Sequence, residues 1–446
     1  MRVRMSSDKI QLFSYFIFIC AIGSIMLSFP FAYVSREPIP YIDALFIAVS
    51  ATCVTGLSTV NMNLFSTAGF IVIMSLIELG GLGLITFVSF YIAAPQRRMS
   101  LVNRAIVRDY FIEDVEIEPR KILKSILIFT FVIQSICALL LFFQFKEEGS
   151  SRPLLDAVFH AISAFCNAGF STYQESLCSF VGNYVIETVI MVLIVSGGLG
   201  FIVLTDVFKR VVLRHNRRIS FHSRLVLTVT SILIVCGAAL FYLVERNGAF
   251  ASLTEPQKIF AAFFSSITPR TAGFSVVPQN TFSPVINLMT SVFMFIGGSP
   301  GSIAGGIKTT TFTIVLIYAI RGNTERTGLN ISGRNLDTAV IEKSFSIVAK
   351  SIMILLISIA LLLVTERTLL VSGRCSVFDL MFEAISAFGT VGLSLGVTPS
   401  LTVAGKAVLI ATMFIGRTGI FAMALGFAHN EKERFFEYPS AHVLVG

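Results

Sequence analysis

Thr268-Pro269-Arg270-Thr271-Ala272-Gly273-Phe274-Ser275 ends in a small or β-branched residue, a glycine, an apolar residue and a serine, a pattern that occurs four times in this chain. The other copies are Thr55-Gly56-Leu57-Ser58, Ala168-Gly169-Phe170-Ser171 and Val391-Gly392-Leu393-Ser394, and the successive glycines lie 113, 104 and 119 residues apart. A short apolar segment precedes each copy, at 43–51, 156–164, 259–266 and 379–387. In three copies an aspartate (Asp43, Asp156, Asp379) stands 13 residues before the glycine, and Ser-Ala closes the segment. A further pair recurs downstream: Gly80-Gly81, Gly197-Gly198, Gly297-Gly298 and Gly416-Arg417, offset by 24, 28, 24 and 24 residues from the loop glycine. Spacing held over four copies is the signature of an internal repeat.

The rest of the sequence says where these repeats reside. Of 446 residues 54% are hydrophobic and 13% charged, and the mean hydropathy is +0.82. Those values exclude a disordered chain, a coiled coil, a collagen and an ordinary soluble enzyme. Apolar runs long enough to cross a ~30 Å hydrocarbon core lie at 11–34, 68–94, 122–145, 183–208, 225–245, 285–320, 347–366 and 403–427. The first is basic at its start, like a signal peptide, but its length and the lack of an A-x-A site point to a retained span. The four short segments cannot cross and fit re-entrant half-helices.

The expected fold is an all-α membrane protein of four pseudo-symmetric span–pore-helix–loop–span repeats around one central pore. The repeats run 1–94, 95–208, 209–320 and 321–427, with a tail at 428–446. Of the 34 Lys and Arg, 23 fall in the N-terminus, the linkers between repeats and the tail, against seven in the opposite loops. The positive-inside rule places both termini in the cytoplasm, so the net charge of +8 is mainly a topology signal. The seven cysteines include no C-x-x-C pair and read as small hydrophobes.

A half-helix entering from outside aims its negative C-terminal end at mid-membrane, and four around one axis focus negative potential where a cation would sit. The aspartates are placed to cap the half-helix N-termini. Glycine in each loop permits φ > 0, so that carbonyls can turn to the axis as in a K⁺ filter. The candidate filter is Val54-Thr55-Gly56, Asn167-Ala168-Gly169, Thr271-Ala272-Gly273 and Thr390-Val391-Gly392. For the downstream pairs, helix packing is as good a reading as function.

This four-repeat pattern, with Thr268 to Phe274 as its most specific string, resembles the Trk/Ktr/HKT family of potassium transporters over nearly the whole chain. Eight spans without an extra N-terminal pair is most similar to the Ktr membrane subunit. The resemblance implies a K⁺-selective uptake pore in a bacterial inner membrane, with one K⁺ site at Gly56, Gly169, Gly273 and Gly392. In the plant branch a serine in the first loop goes with Na⁺ preference, so Gly56 implies K⁺; whether Na⁺ takes part is left open. It implies a homodimer, with dimer contacts for the tail His442–Gly446. It also implies a cytoplasmic RCK-type (KtrA-like) ring binding ATP or ADP, since no linker here is long enough for a nucleotide domain.

The third repeat departs from the others. Gly297-Gly298-Ser299-Pro300-Gly301-Ser302-Ile303-Ala304-Gly305-Gly306-Ile307-Lys308 runs inside what should be a span. Glycine-rich irregular backbone at this depth survives where it lines a cavity or is buried in protein, so 297–311 is the expected intramembrane gate. Gly301 to Thr309 nearly spells a P-loop, but with one residue too many before the lysine and no preceding strand; no nucleotide is expected on this chain. Arg417, about 15 residues into the last span, needs a partner. It either tethers the 297–311 loop through carbonyls or places positive charge beneath the site. Lys308 and Asp206 are expected at the cytoplasmic ends. No catalytic spacing, metal cluster or nucleic-acid patch appears. The alternative to a channel-like pore is a coupled K⁺/Na⁺ or K⁺/H⁺ carrier; the common in-out sense of all four repeats favours the pore.

Overall fold

The computed structural model describes residues 7–93, 119–211, 219–321, 329–331 and 333–419. The tail assigned to dimer contacts lies outside them. In chain order the helices are α1 (Ser7–Leu27), α2 (Tyr41–Thr52), α3 (Thr67–Ala93), α4 (Pro119–Glu147), α5 (Pro153–Phe165), α6 (Tyr184–Leu199), α7 (Phe201–Val211) and α8 (Phe221–Glu245). They continue as α9 (Glu255–Ile267), α10 (Pro284–Phe295), α11 (Thr309–Arg321), α12 (Thr338–Thr365), the short α13 (Arg367–Val371), α14 (Val377–Gly389) and α15 (Val403–Phe414). A small hairpin, β1 (Leu329–Ile331) antiparallel to β2 (Arg334–Leu336), precedes α12. It is the one strand pairing among the described residues of an otherwise all-α membrane protein.

Each short apolar segment forms a helix of 12 or 13 residues (α2, α5, α9, α14), about 20 Å long and too short to cross. Starts are fixed locally. Pro153 opens α5, while Thr254 with Gln257 and Ser376 with Asp379 form capping boxes on α9 and α14. The aspartate expectation is therefore corrected for two of three copies. Only Asp379 caps its own helix; Asp43 binds Lys406 Nζ of α15 at 2.5 Å, and Asp156 accepts from the hydroxyls of Ser150, Thr172 and Tyr173. Tertiary partners outcompeted the helix end. The Asp43–Lys406 pair joins the fourth repeat to the first, beside a core in which Phe46, Val49 and Leu57 meet Leu362, Leu380 and Met413.

Helices α4, α8 and α12 carry stretches long and apolar enough to span the membrane, and large side chains such as Phe131, Leu243 and Val364 are exposed on them. Exposed apolar area on that scale is a lipid-facing surface. Two expected spans are broken. The 285–320 run is interrupted at 296–308 between α10 and α11, as its glycines suggest. The 183–208 run bends by 109° between α6 and α7 at Gly200, whose φ of +85° no helix accommodates.

Candidate functional site

One to four residues past each pore helix stands a residue that reverses the backbone. Val54, Asn167, Thr271 and Thr390 have φ of +58°, +57°, +71° and +50°, and two residues on the glycines have φ of +95°, +70°, +75° and +93°. The residue between is not left-handed. Alternating signs of φ turn successive carbonyls to one side of the chain, and the glycine position tolerates no side chain.

The structure brings the four glycines into a closed ring. A Cβ built on Gly56 would land on the Ala168 carbonyl oxygen, one on Gly169 would lie 2.9 Å from that of Ala272, one on Gly273 would land on that of Val391, and one on Gly392 on that of Thr55. Each glycine thus abuts the carbonyl just before the next repeat's glycine, and the fourth returns to the first. The hydroxyls of Thr55, Thr271 and Thr390, buried beside this ring, have no hydrogen-bond partner among the described residues. On one side of the ring a mouth of about 700 Å³ opens, lined by all four glycines, by Ser58, Ser171, Ser275 and Ser394 and, as the one charged side chain among the described residues, by Glu175. The arrangement can desolvate a small cation with neutral oxygens.

Side chains that sequence reasoning left without a role hold these loops. Ser50 and Ser386, six residues before their glycines, each accept the glycine N–H on Oγ at 3.1 Å. Ser163, at the same offset, donates to the Phe170 carbonyl at 2.7 Å, and Thr268 donates to that of Phe274. The recurring Ser-Ala was the available signal. His160 and Glu383 each stand nine residues before a filter glycine, and each bonds the serine two residues after it, His160 Nε2 with Ser171 Oγ at 2.9 Å and Ser394 Oγ to Glu383 Oε1 at 2.5 Å. A search for metal spacing could not find them; alignment on the glycines does.

The downstream pairs are packing residues. A Cβ on Gly80, Gly197 or Gly416 would fall on the carbonyl of Thr52, Phe165 or Phe388, each four residues before its filter glycine. In the third repeat Gly297 instead abuts the carbonyl of Gly305. Residues 297–307, apart from Pro300, are buried. The loop crosses on the side of the ring away from the mouth. Gly305 presses against the Thr390 side chain, and Ile303 lies 3.2 Å from where a Gly81 Cβ would stand.

This loop docks onto the other broken span. Ser299 N–H and Oγ donate to the Gly198 carbonyl at 3.0 and 2.8 Å, Ile303 N–H to that of Gly197 at 3.3 Å, and Phe201 N–H to that of Gly301 at 3.2 Å. Helix ends leave carbonyls without intrahelical donors, and here the loop supplies donors for them. Ser302 N–H donates to the Ser299 carbonyl, and Gly306 has φ of +63°. Lys308 lies within the loop structure, its Nζ donating to the Ala304 carbonyl at 2.7 Å, whereas Asp206 accepts from Ser220 and Ser223. Arg417 is buried in a π-helical turn, Ile415–Gly419. It donates to the loop carbonyl of Ile303 and to those of Gly80, at 2.9 Å, and Gly81, at 3.3 Å, on α3. Glu78 of α3 accepts from Gln134 and Cys166, while Glu187 accepts the N–H of Gly182.

Comparison with known proteins gives a consistent picture. The family model described as "Cation transport protein" (TrkH) matches residues 1–438. The chain is 36% identical to the potassium/sodium uptake protein NtpJ of Enterococcus hirae, covering 100% of this chain and 99% of that one. It is 35% identical to Ktr system potassium uptake protein B of Bacillus subtilis, covering 100% and 98%. The crystal structure of the potassium transporter TrkH from Vibrio parahaemolyticus superposes with a TM-score of 0.75 at 18% identity, over 94% of this chain and 85% of that one.

Proposed function

Because this chain belongs to the TrkH family of cation transport proteins, we propose that it is the K⁺-conducting subunit of a potassium uptake system, passing the ion through one site at Gly56, Gly169, Gly273 and Gly392. The observation that carries this reading is the closed glycine-to-carbonyl ring at the floor of the mouth. Carbonyl oxygens replace a hydration shell without adding fixed charge. One short ring gives fewer stacked sites than a tetrameric K⁺ channel, so its discrimination is weaker. The 297–308 loop and Arg417 form the gate.

The same reading extends to assembly. It makes the protein a multi-pass chain of a bacterial inner membrane with both termini inside, working as a homodimer over an RCK-type ring that binds ATP or ADP. Support comes from the charge distribution of the sequence and from relatives whose names denote a Ktr system. Na⁺ dependence is part of this reading, since one relative is named for both ions.

Gly56→Ser tests the filter. In proteoliposomes the K⁺/Na⁺ flux ratio falls at least tenfold, because the added Cβ meets the Ala168 carbonyl. An unchanged ratio in correctly assembled protein refutes the site, and strict ion stoichiometry in wild-type flux refutes the channel-like mechanism.

A further inference from the structure

Outside the glycine ring, Glu78 is an ionisable side chain at membrane depth with no charged partner among the described residues. Glu78 lies 11 residues into α3, about 16 Å along the helix and therefore near the midplane of a ~30 Å core. Its two hydrogen bonds, from Gln134 Nε2 at 3.2 Å and Cys166 Sγ at 3.3 Å, both end on Oε2. Oε1 takes none, and no cationic side chain among the described residues pairs with Glu78.

This carboxyl ends a crevice of about 640 Å³ between α3, α4 and α5, within the size range of small-molecule sites. The walls are apolar, with Phe142, Leu154 and Ala161 among them, and Gln134 and Ser135 are the other polar side chains. Phe131 and Leu154 are exposed at its mouth, so it opens to lipid and not to the outer mouth above the filter.

We propose that this crevice is a lipid-side binding site for a single-chain hydrophobic amine, whose ammonium pairs with Glu78 Oε1 and whose chain lies along the apolar wall. An ionised intramembrane carboxylate requires a cationic partner, and no side chain among the described residues supplies one. The amine enters neutral and takes the proton of the Glu78 carboxyl, so charge and protons balance within the pair. A lipid headgroup is excluded as the occupant by depth, since it would have to descend about 15 Å from the surface. The bond to Cys166, which directly precedes Asn167 of the filter loop, places the occupant behind the filter.

The test is equilibrium binding of radiolabelled octylamine to the full chain in phosphatidylcholine nanodiscs. Saturable binding of one octylamine per chain is expected, weakened at least tenfold by Glu78→Gln, as loss of a charge-assisted hydrogen bond requires. Ser135 lies on the exposed face of α4, so Ser135→Trp fills the mouth without disturbing the core. It is expected to weaken binding equally, and it keeps the test decisive where Glu78→Gln fails to assemble. Octanol, of equal length but uncharged, is expected to compete at least tenfold less well. Wild-type affinity in either variant, or competition by octanol equal to that of octylamine, overturns the proposal. Loss of octylamine binding when phosphatidylethanolamine replaces phosphatidylcholine assigns the site to a headgroup and overturns it too.

Discussion

Replacing Arg417 by glutamine removes a side chain of the last span that joins the 297–308 loop to α3. The guanidinium donates to Ile303 in the loop and to Gly80 and Gly81 on α3, so the loop itself loses one charge-assisted hydrogen bond. Such a bond contributes about 1.5–3 kcal/mol, and each ~1.4 kcal/mol is tenfold in an equilibrium. The ratio of open to closed loop therefore rises by roughly 10- to 150-fold. Rubidium flux into proteoliposomes measures this, and Arg417→Lys separates the two readings of the arginine. If tethering matters, lysine, with no planar fork to span three carbonyls, also raises flux. If positive charge beneath the filter matters, lysine behaves as wild type. Unchanged flux in Arg417→Gln, in protein that assembles normally, refutes both.

Ser386→Ala deletes the hydroxyl that receives the Gly392 N–H, a bond contributing about 1 kcal/mol; K⁺/Na⁺ selectivity falls several-fold while assembly is retained, as ion-competition flux will show. Lys406→Met strands a largely buried carboxylate at Asp43 and destabilises the fold by about 3 kcal/mol, read as a lower melting temperature in detergent. Pairing it with Asp43→Asn recovers part of the loss, and an unshifted melting curve for the single variant removes the ring-closing role given to that pair.

The repeats, the re-entrant helices and the converging glycines are legible in the sequence because each repeats at a fixed offset. Less legible is anything that depends on which repeat meets which. Gly197-Gly198-Leu199-Gly200 departs from the other copies by an offset of 28 instead of 24, yet that does not reveal a helix break whose carbonyls receive a loop from the next repeat. Asp43 and Asp156 show the opposite failure. Their local reading as helix caps was sound, and partners distant in sequence, Lys406 and Thr172 with Tyr173, took the carboxylates instead. His160 and Glu383 differ chemically, so no motif joins them until the glycine register does.

The position that decides the asymmetry of the pore is the first glycine of each downstream pair. In three repeats it lets the second span close on the carbonyl four residues before the filter glycine; beyond it the chain stays helical in α3, turns sharply at Gly200 in the second repeat and passes into a π-helical turn in the fourth. In the third repeat Gly297 takes Gly305 instead, so the chain leaves the helix and crosses behind the ring. The filter's anchors (Ser50, Ser163, Thr268 and Ser386) all bond within their own repeats, and among the described residues none of these bonds reaches the crossing loop. The loop in turn is fixed by Gly197, Gly198 and Arg417. If the ring is the filter and the loop the gate, as proposed, selectivity and gating rest on separate hydrogen-bond sets that meet where Gly305 touches Thr390. Loop and arginine variants should change how much flux passes, anchor variants should change which ion passes, and Thr390 is where one substitution should alter both.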